Sequence, residues 1–251
     1  MSRSVGQVNG STANGRILIL SDDNMTEVRR TRRTRDDLRE ELLESALLEF
    51  AAKGFDGAST RSIAERVDAH QPQINYHFAS KEALWDAAVE HLFALLVGTF
   101  AGLAPLDGTD DPFELGRDVA EMLRRFVRFA AEHPELNRIM VQEATEDSDR
   151  LHRTIERHVR PWYDATKVAW ERLRGAGIAA PIDAANVYWV IVGAASLPFV
   201  NAPEVRILSG AEPTDPAWVA THAESIVATL LPGLTKPRRP PPTRARRAST
   251  S

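Results

Sequence analysis

One short stretch of the sequence concentrates side chains that can form hydrogen bonds and stack on flat partners. Residues 71–82 read QPQINYHFASKE and place three amides, two aromatic rings and a histidine within about three helical turns. Pro72 is compatible with a short helix beginning here, because a proline in the first turn gives up an amide that would have no partner. Ile74 and Phe78 lie one helical turn apart and are expected to face a core. The side chains left on the outer face are Gln71, Gln73 and Tyr76.

The neighbouring elements explain why such a helix would be short. Apolar residues recur at helical spacing from Leu38 to Phe50, with charged residues on the other face, and Gly54 follows as a helix stop. A second helix begins after Ser59, whose side chain can cap it, and Asp68 occupies the next turn. This order predicts a helix-turn-helix, in which the exposed amides of the second helix can read base edges in the major groove.

The same residues resemble the N-terminal domain of the TetR family of transcriptional regulators. Residues 59–84, STRSIAERVDAHQPQINYHFASKEAL, end in the Tyr-x-Phe-x-Ser-Lys-Glu-x-Leu signature of that family. The resemblance in motifs covers about residues 35–100, and beyond them only the helical architecture is similar. It implies an all-α fold, with an N-terminal three-helix helix-turn-helix DNA-binding domain followed by a C-terminal helical ligand-binding and dimerisation domain.

The resemblance also implies a set of DNA contacts. By position, the residues expected to contact bases are Arg61, Gln71, Pro72, Gln73 and Tyr76. The residues expected to contact phosphates are Thr60, Asn75, His77 and Lys81. Physical chemistry agrees for Lys81, because a helix N-terminus favours a nearby anion. Three residues depart from the family's usual glycine, serine and tyrosine: Asp68, His70 and Asn75.

Charge and composition are consistent with contact to a polyanion. Residues 1–35 hold seven arginines against three acidic residues, and residues 235–251 hold six basic residues and no acid, although the chain carries a net charge of −4. The arginines at 29–35 resemble an arm that can reach phosphates or a minor groove. The chain has no cysteine, which excludes disulfides, thiolate zinc sites and cysteine nucleophiles and favours a reducing compartment.

No targeting or membrane signal is evident. The N-terminal residues lack the apolar core of a signal peptide, and the longest apolar run, residues 187–200, is too short to span a bilayer and contains Pro198. A cytoplasmic location is therefore expected.

Composition and periodicity divide the chain into four segments. We expect a disordered N-terminal extension with a basic arm (1–33), the helix-turn-helix domain (34–80), a helical regulatory and dimerisation domain (81–234) and a disordered basic Pro/Arg tail (235–251). No alternating strand pattern is found. Apolar periodicity predicts the later helices at 81–102, at 112–132, from Pro134, at 150–175 with a kink at Pro161, at 183–198 and at 215–231.

The C-terminal half supplies apolar and aromatic side chains for a core and for a ligand pocket. A cavity of this composition would take a hydrophobic effector of drug-like or acyl-like character. The candidate pocket residues are Phe93, Phe100, Met122, Phe126, Met140, Trp162, Trp170, Tyr188 and Trp189. The segment Ala184–Phe199 is apolar nearly all round, and with the final helix it can form a four-helix interface between two copies. A buried monomeric core is the alternative.

An enzyme and a metal site are not supported by the residue spacing. His152 and Glu156 can share a helix face, but His158 falls roughly opposite, and no phosphate loop or nucleophile elbow is present. No catalytic residue, metal or cofactor is therefore predicted. The sequence favours a DNA-binding transcriptional regulator, most simply a homodimeric repressor that an effector releases from its double-stranded DNA operator. The alternative is a helical small-molecule-binding or partner-binding protein without operator recognition.

Overall fold

The computed structural model describes residues 34–234. About 78% of these residues are helical and none of them is in a strand, which confirms the predicted all-α fold. The predictions for residues 1–33 and 235–251, including the basic arm and the Pro/Arg tail, lie outside the described residues.

The first helix, α1, spans Arg35–Gly57 and begins with a reciprocal cap. The Asp37 carboxylate accepts a hydrogen bond from the Thr34 N–H at 2.8 Å, and the Thr34 hydroxyl accepts one from the Asp37 N–H at 3.1 Å. At Gly54 the backbone turns to φ 70°, so the predicted glycine stop interrupts the helix before its last turn. The chain divides into two compact units between Glu41 and Leu42, within α1.

Two short helices follow α1 within the larger unit. Helix α2 spans Thr60–Arg66 and is capped by Ser59, whose hydroxyl accepts the Ser62 N–H. Helix α3 spans Gln71–His77. The Ser45 hydroxyl donates to the Ile63 carbonyl at 3.0 Å, which ties α1 to α2.

The buried carboxylate of Glu49 anchors α1 to the start and the end of α2. It accepts hydrogen bonds from Lys53 at 2.7 Å, from Arg66 at 3.0 Å and from the Ser59 N–H at 3.3 Å. Burial alone would raise the pKa of Glu49, but these hydrogen bonds and the Lys53 charge hold it below its ordinary value. The negative charge of Glu49 is therefore part of what holds the two helices together.

Eight further α-helices, one π-helix and one 3₁₀ turn complete the described chain. They are α4 (Lys81–Thr99), α5 (Pro112–Glu132), α6 (Pro134–Glu143), α7 (Asp149–Thr154), a π-helix (Ile155–Val159), α8 (Arg160–Gly175), α9 (Ala184–Val200), α10 (Ala202–Ser209), α11 (Pro216–Leu230) and a 3₁₀ turn (Pro232–Leu234).

Helix α5 lies at the centre of the C-terminal half and packs against α8, α9 and α11. Its buried residues Leu115, Leu123 and Val127 join the apolar sides of the other three helices in one core. Trp170 of α8 is fully buried there, and its indole N–H donates to the Ile182 carbonyl at 2.9 Å. This pairing satisfies the one polar atom of a large core side chain.

The structure differs from the sequence expectation in three places. Helix α4 ends at Thr99 rather than near Gly102. The kink expected at Pro161 takes the form of a π-helix just upstream, because Pro161 has no N–H to donate to the preceding turn. Helix α10 was not predicted at all, although Pro203 in its first turn and the left-handed Gly210 after it are start and stop signals.

Within the described part of the chain, no single helix is long and apolar enough to cross a membrane. The pair α9 and α10 reaches the required length and composition only together, and the two helices meet at an angle of 76°.

Candidate DNA-binding surface and effector cavity

Helix α3 has one buried side and one exposed side. Ile74 within α3 is almost completely buried, and so is Phe78 immediately after it. The exposed residues of the helix are Gln71, Pro72, Gln73, Asn75 and Tyr76. Tyr76 is 64% exposed, which is unusual for a large aromatic side chain and leaves it accessible to a partner. The orientation is the one predicted from the spacing of Ile74 and Phe78.

The turn between α2 and α3 depends on an aspartate in a left-handed conformation. Asp68 has φ 52°, the only positive φ among non-glycine residues 34–234, and aspartate is one of the few residue types that tolerate it. The turn is closed by a hydrogen bond from the Ala69 N–H to the Ala64 carbonyl at 2.9 Å. The substitution of the family's usual glycine is thus accommodated without changing the turn.

The predicted base-contacting residues Gln71 and Gln73 form side-chain hydrogen bonds with their neighbours. The Gln71 amide donates to the Thr60 hydroxyl at 2.9 Å, which links α3 to α2. The Gln73 side-chain oxygen accepts the His70 N–H at 2.8 Å and so caps the start of α3 in place of a serine. The second amide proton of Gln71 and both amide protons of Gln73 are left to bind a partner.

Arg61 is held in an exposed ion pair. Its guanidinium lies 2.8 Å from Glu65, one helical turn along α2, and its side chain is 81% exposed. An exposed pair of this kind is weak and can exchange for another acceptor at little cost. Arg61 is therefore available to bind a base or a phosphate.

The predicted phosphate-contacting residues lie around the ends of α2, α3 and α4. Ser80 caps α4, and Lys81 follows as its first residue. The Lys81 ammonium donates to the Asp56 carbonyl at 3.1 Å and lies 4.9 Å from the centre of the Phe55 ring. Thr60 is the first residue of α2, Asn75 lies on the exposed side of α3, and His77 is half-buried with its ring 5.3 Å from that of Tyr76.

Contacts between the helix-turn-helix and the C-terminal half centre on Arg150, a residue that the sequence analysis did not single out. Its guanidinium binds the buried Glu143 carboxylate with both arms, at 2.6 and 3.1 Å. The same group lies 3.9 Å from the centre of the Phe55 ring and 5.3 Å from that of Trp85. Beside it, the Gln142 amide donates to the Ala51 carbonyl of α1 at 3.1 Å. Side chains of α6 and α7 therefore contact residues of α1 and α4.

The C-terminal half contains a cavity with about 840 Å³ of empty space, including the part open to solvent. Helices α4, α5, α8 and α9 supply most of its wall, and the π-helix closes one side. Seven of the nine predicted pocket residues lie on this wall: Phe93, Phe100, Met122, Phe126, Trp162, Trp170 and Tyr188.

A second cavity of about 890 Å³, again including open space, adjoins the first. It contains the other two predicted pocket residues, Met140 and Trp189, together with Asn137 and Ser196. The residues common to both walls are Phe93, Leu96, Phe126, Val159, Tyr188 and Val192. The two spaces therefore share part of their walls.

His158 of the π-helix lies on the wall of the first cavity. Its ring stacks on Phe93 with centroids 4.6 Å apart and planes 6° apart, and its Nε2 lies 3.6 Å from the Glu90 carboxylate. Burial lowers the pKa of His158 below its ordinary value, which favours the neutral ring at pH 7. Among the described residues, no group of histidines and carboxylates is arranged to hold a metal ion.

Known proteins match both halves of the chain. A family model described as "Bacterial regulatory proteins, tetR family" matches residues 42–88, and one described as "Tetracyclin repressor-like, C-terminal domain" matches residues 117–230. The chain is 23% identical to the HTH-type transcriptional regulator RutR of Escherichia coli K12 over 197 residues, which is 78% of this chain and 90% of RutR.

Solved structures show the same fold. The ketosteroid transcriptional regulator KstR2 of Mycobacterium tuberculosis matches with a TM-score of 0.62 and 21% identity, covering 83% of this chain and all of that one. AibR, in a complex with isovaleryl coenzyme A and operator DNA, matches with a TM-score of 0.58 and 16% identity, covering 79% of this chain and 99% of AibR.

The matched regions coincide with the features described above. Residues 42–88 contain α2, α3 and the capped start of α4, and residues 117–230 contain most of the cavity wall. Proteins of this family are transcriptional regulators rather than enzymes, often repressors, and they bind operator DNA, typically as dimers. Family models match both the N-terminal and the C-terminal half of the chain, and helix α3 in the N-terminal half is exposed. The chain therefore belongs to the TetR family of helix-turn-helix transcriptional regulators.

Proposed function

We propose that this regulator is a cytoplasmic homodimeric repressor that leaves its operator when a hydrophobic effector enters the C-terminal half. The proposal rests on the exposed side of α3, which carries amide side chains. Burial of Ile74 on the opposite side fixes this orientation of the helix, and hydrogen bonds stabilise both of its ends. An α-helix of this kind fits the major groove and can hydrogen-bond to base edges.

The DNA contacts divide into two classes. In the proposal, Arg61 and the exposed residues 71–73 and 76 contact bases, whereas Thr60, Asn75, His77 and Lys81 contact phosphates. The exposure of Arg61 and of α3 supports the first group, and the position of Lys81 at the N-terminus of α4 supports its place in the second.

Dimerisation is assigned to α9 and α11. Trp189, Val190 and Leu197 of α9 are exposed in the single chain although they are large and apolar, and such a patch is typical of an interface. No atom lies within 4 Å of where a side chain on Gly193 would begin, so a partner helix can approach closely there. Pairing α9 and α11 with their copies gives a four-helix interface that fixes the distance between two recognition helices.

The proposed domains follow from these assignments. Residues 34–80 form the DNA-binding domain and residues 81–234 the regulatory and dimerisation domain. The effector is proposed to bind in the two adjoining cavities, and it can release the operator only through its preference for one arrangement of the two domains. Support for this coupling comes from Arg150, which contacts Phe55 of the DNA-binding domain and Trp85 near the start of α4.

The proposal is tested by fluorescence anisotropy with labelled fragments of the DNA upstream of the protein's own gene. We expect tight binding to one fragment, loss of that binding in Tyr76→Ala, and normal binding in Val168→Ala, a control at an exposed position of α8. Weak binding to every fragment that Tyr76→Ala does not change would favour the alternative, a helical small-molecule-binding or partner-binding protein.

A further inference from the structure

The two cavities share an unusual electrostatic character. Of the residues within 34–234 that line either cavity, none is Lys, Arg, Asp or Glu. The only basic side chains among these lining residues are His133 and His158. A carboxylate or phosphate that entered would lose its hydration without gaining a permanent opposite charge, which is strongly unfavourable. The lining therefore selects against anionic ligands, including fatty acids and nucleotide-bearing thioesters.

Tyr188 supplies the one polar side chain on the shared wall among residues 34–234. The Tyr188 ring contacts Tyr163 and Trp189 edge to face, with centroids 5.6 and 5.3 Å away. Its hydroxyl forms no hydrogen bond with any residue of the described chain. Burial raises the pKa of Tyr188 above its ordinary value, so the hydroxyl is a neutral donor at pH 7.

Two aromatic residues near Tyr188 have protein partners for their polar atoms. The Trp170 indole N–H on the same wall donates to the Ile182 carbonyl at 2.9 Å. The Tyr163 hydroxyl, which lies on neither wall, donates to the Ala185 carbonyl at 3.4 Å. Tyr188 as a whole is half-buried, and its hydroxyl is open to an acceptor on a bound molecule.

We propose that the effector is an uncharged hydrophobic molecule that carries a hydrogen-bond acceptor, such as an ester, ketone or ether oxygen, for the Tyr188 hydroxyl. Because Tyr188 lies on the wall common to both cavities, the molecule extends from this contact into both spaces. This inference rests on the proposed function, since it names the class of ligand for the same regulatory site.

The test is a binding experiment with the full chain and without DNA. Nile red, a neutral dye that becomes fluorescent in apolar surroundings, reports occupancy, and it is displaced by methyl dodecanoate or by dodecanoate. The two competitors have the same chain length and differ in charge. We expect the ester to displace the dye at a concentration at least about tenfold lower than the carboxylate.

Matched variants test the hydroxyl. Tyr188→Phe removes one oxygen, and we expect it to weaken ester binding about three- to tenfold, the size of one lost hydrogen bond. Tyr163→Phe removes a hydroxyl outside the cavities and should leave ester binding unchanged. Thermal melting of both variants confirms that they are folded, and each displacement is corrected for the affinity of that variant for Nile red.

Two results would overturn the ligand class: equal or tighter binding of dodecanoate, or no displacement by the ester at all. A Tyr188→Phe variant that binds the ester like wild type would remove Tyr188 as the contact. Operator binding is measured separately. If the ester binds as expected but never releases a bound operator, the ligand class stands and the proposed regulation fails. If the operator is bound and the cavity rejects the ester, the ligand class fails and the proposed regulation stands.

Discussion

The guanidinium of Arg150 lies over the Phe55 ring, 3.9 Å from its centre, while both its arms bind Glu143. One side chain thus contacts the last turn of α1, the N-terminal half of α4 through Trp85, and the end of α6. In the proposed regulation, an effector bound beside α8 and the π-helix would act on the DNA-binding helices through this residue.

Arg150→Lys is expected to weaken this link without removing the charge that Glu143 requires. Lysine cannot bind with two arms and stacks poorly on aromatic rings. We expect operator binding without effector to be retained and effector-induced release to be reduced, as measured by anisotropy at increasing effector concentration. Arg160→Lys is the control, since Arg160 forms only an exposed pair with Glu156. Full release in Arg150→Lys would show that the coupling runs through other contacts.

The two classes of DNA contact should respond differently to mutation. Arg61→Ala is expected to lower affinity for the operator about tenfold or more while changing binding to unrelated DNA less, because a base contact is lost. Lys81→Ala should lower affinity for both kinds of DNA and reduce the salt dependence of binding. Arg117→Ala, which removes an exposed arginine of α5, controls for net charge. A uniform loss in both Arg61→Ala and Lys81→Ala would contradict this division.

The Glu49 cluster predicts how stability depends on pH. Because the pKa of Glu49 is held below its ordinary value in the folded protein, its contribution is present above about pH 4.5 and is lost as the pH falls through the folded-state pKa. Glu49→Gln should lower the free energy of unfolding by about 1–3 kcal/mol at pH 7. Urea unfolding at several pH values should show the difference from wild type shrinking in acid. Glu44→Gln, on the exposed side of α1, should show neither effect.

Two glycines in the C-terminal half should tolerate a methyl group very differently. A side chain on Gly233 would begin 2.4 Å from the Gly177 carbonyl oxygen and from the Ile178 Cα, both of which belong to the backbone and cannot move aside. Gly233→Ala should therefore destabilise the protein by at least about 2 kcal/mol. Gly175→Ala meets no atom within 4 Å and should change stability by no more than about 1 kcal/mol, in the favourable direction. Chemical denaturation of both variants measures these changes in the free energy of unfolding.

Local signals made the helix-turn-helix predictable. Ser59 and Ser80 cap the helices that they were expected to cap, Gly54 interrupts α1, and Asp68 adopts the left-handed turn. Each of these features depends on neighbours within a few residues in the sequence, where capping and turn chemistry apply directly.

The linkage between the two halves was not predictable in the same way. Arg150 is 95 residues after Phe55 in the sequence, and nothing in its surroundings distinguishes it from other arginines on helices. The hydrogen bond from Gln142 to the Ala51 carbonyl likewise joins residues far apart in the sequence. The nine pocket residues were chosen for their size and apolar character, and the structure places them on two walls that composition could not separate. Their role in binding an effector stays a prediction.

The hydrogen bond from the His70 N–H to Gln73 has a consequence for engineering new operator preferences. The Gln73 oxygen caps α3, and its amide nitrogen is the group proposed to contact a base, so most substitutions chosen for a different base also remove the cap. Position 61 carries a lighter obligation, because the pair between Arg61 and Glu65 is exposed and contributes little to folding. A library aimed at retargeting this protein would therefore diversify position 61 freely and restrict position 73 to residues that can still accept from a backbone amide, such as glutamate.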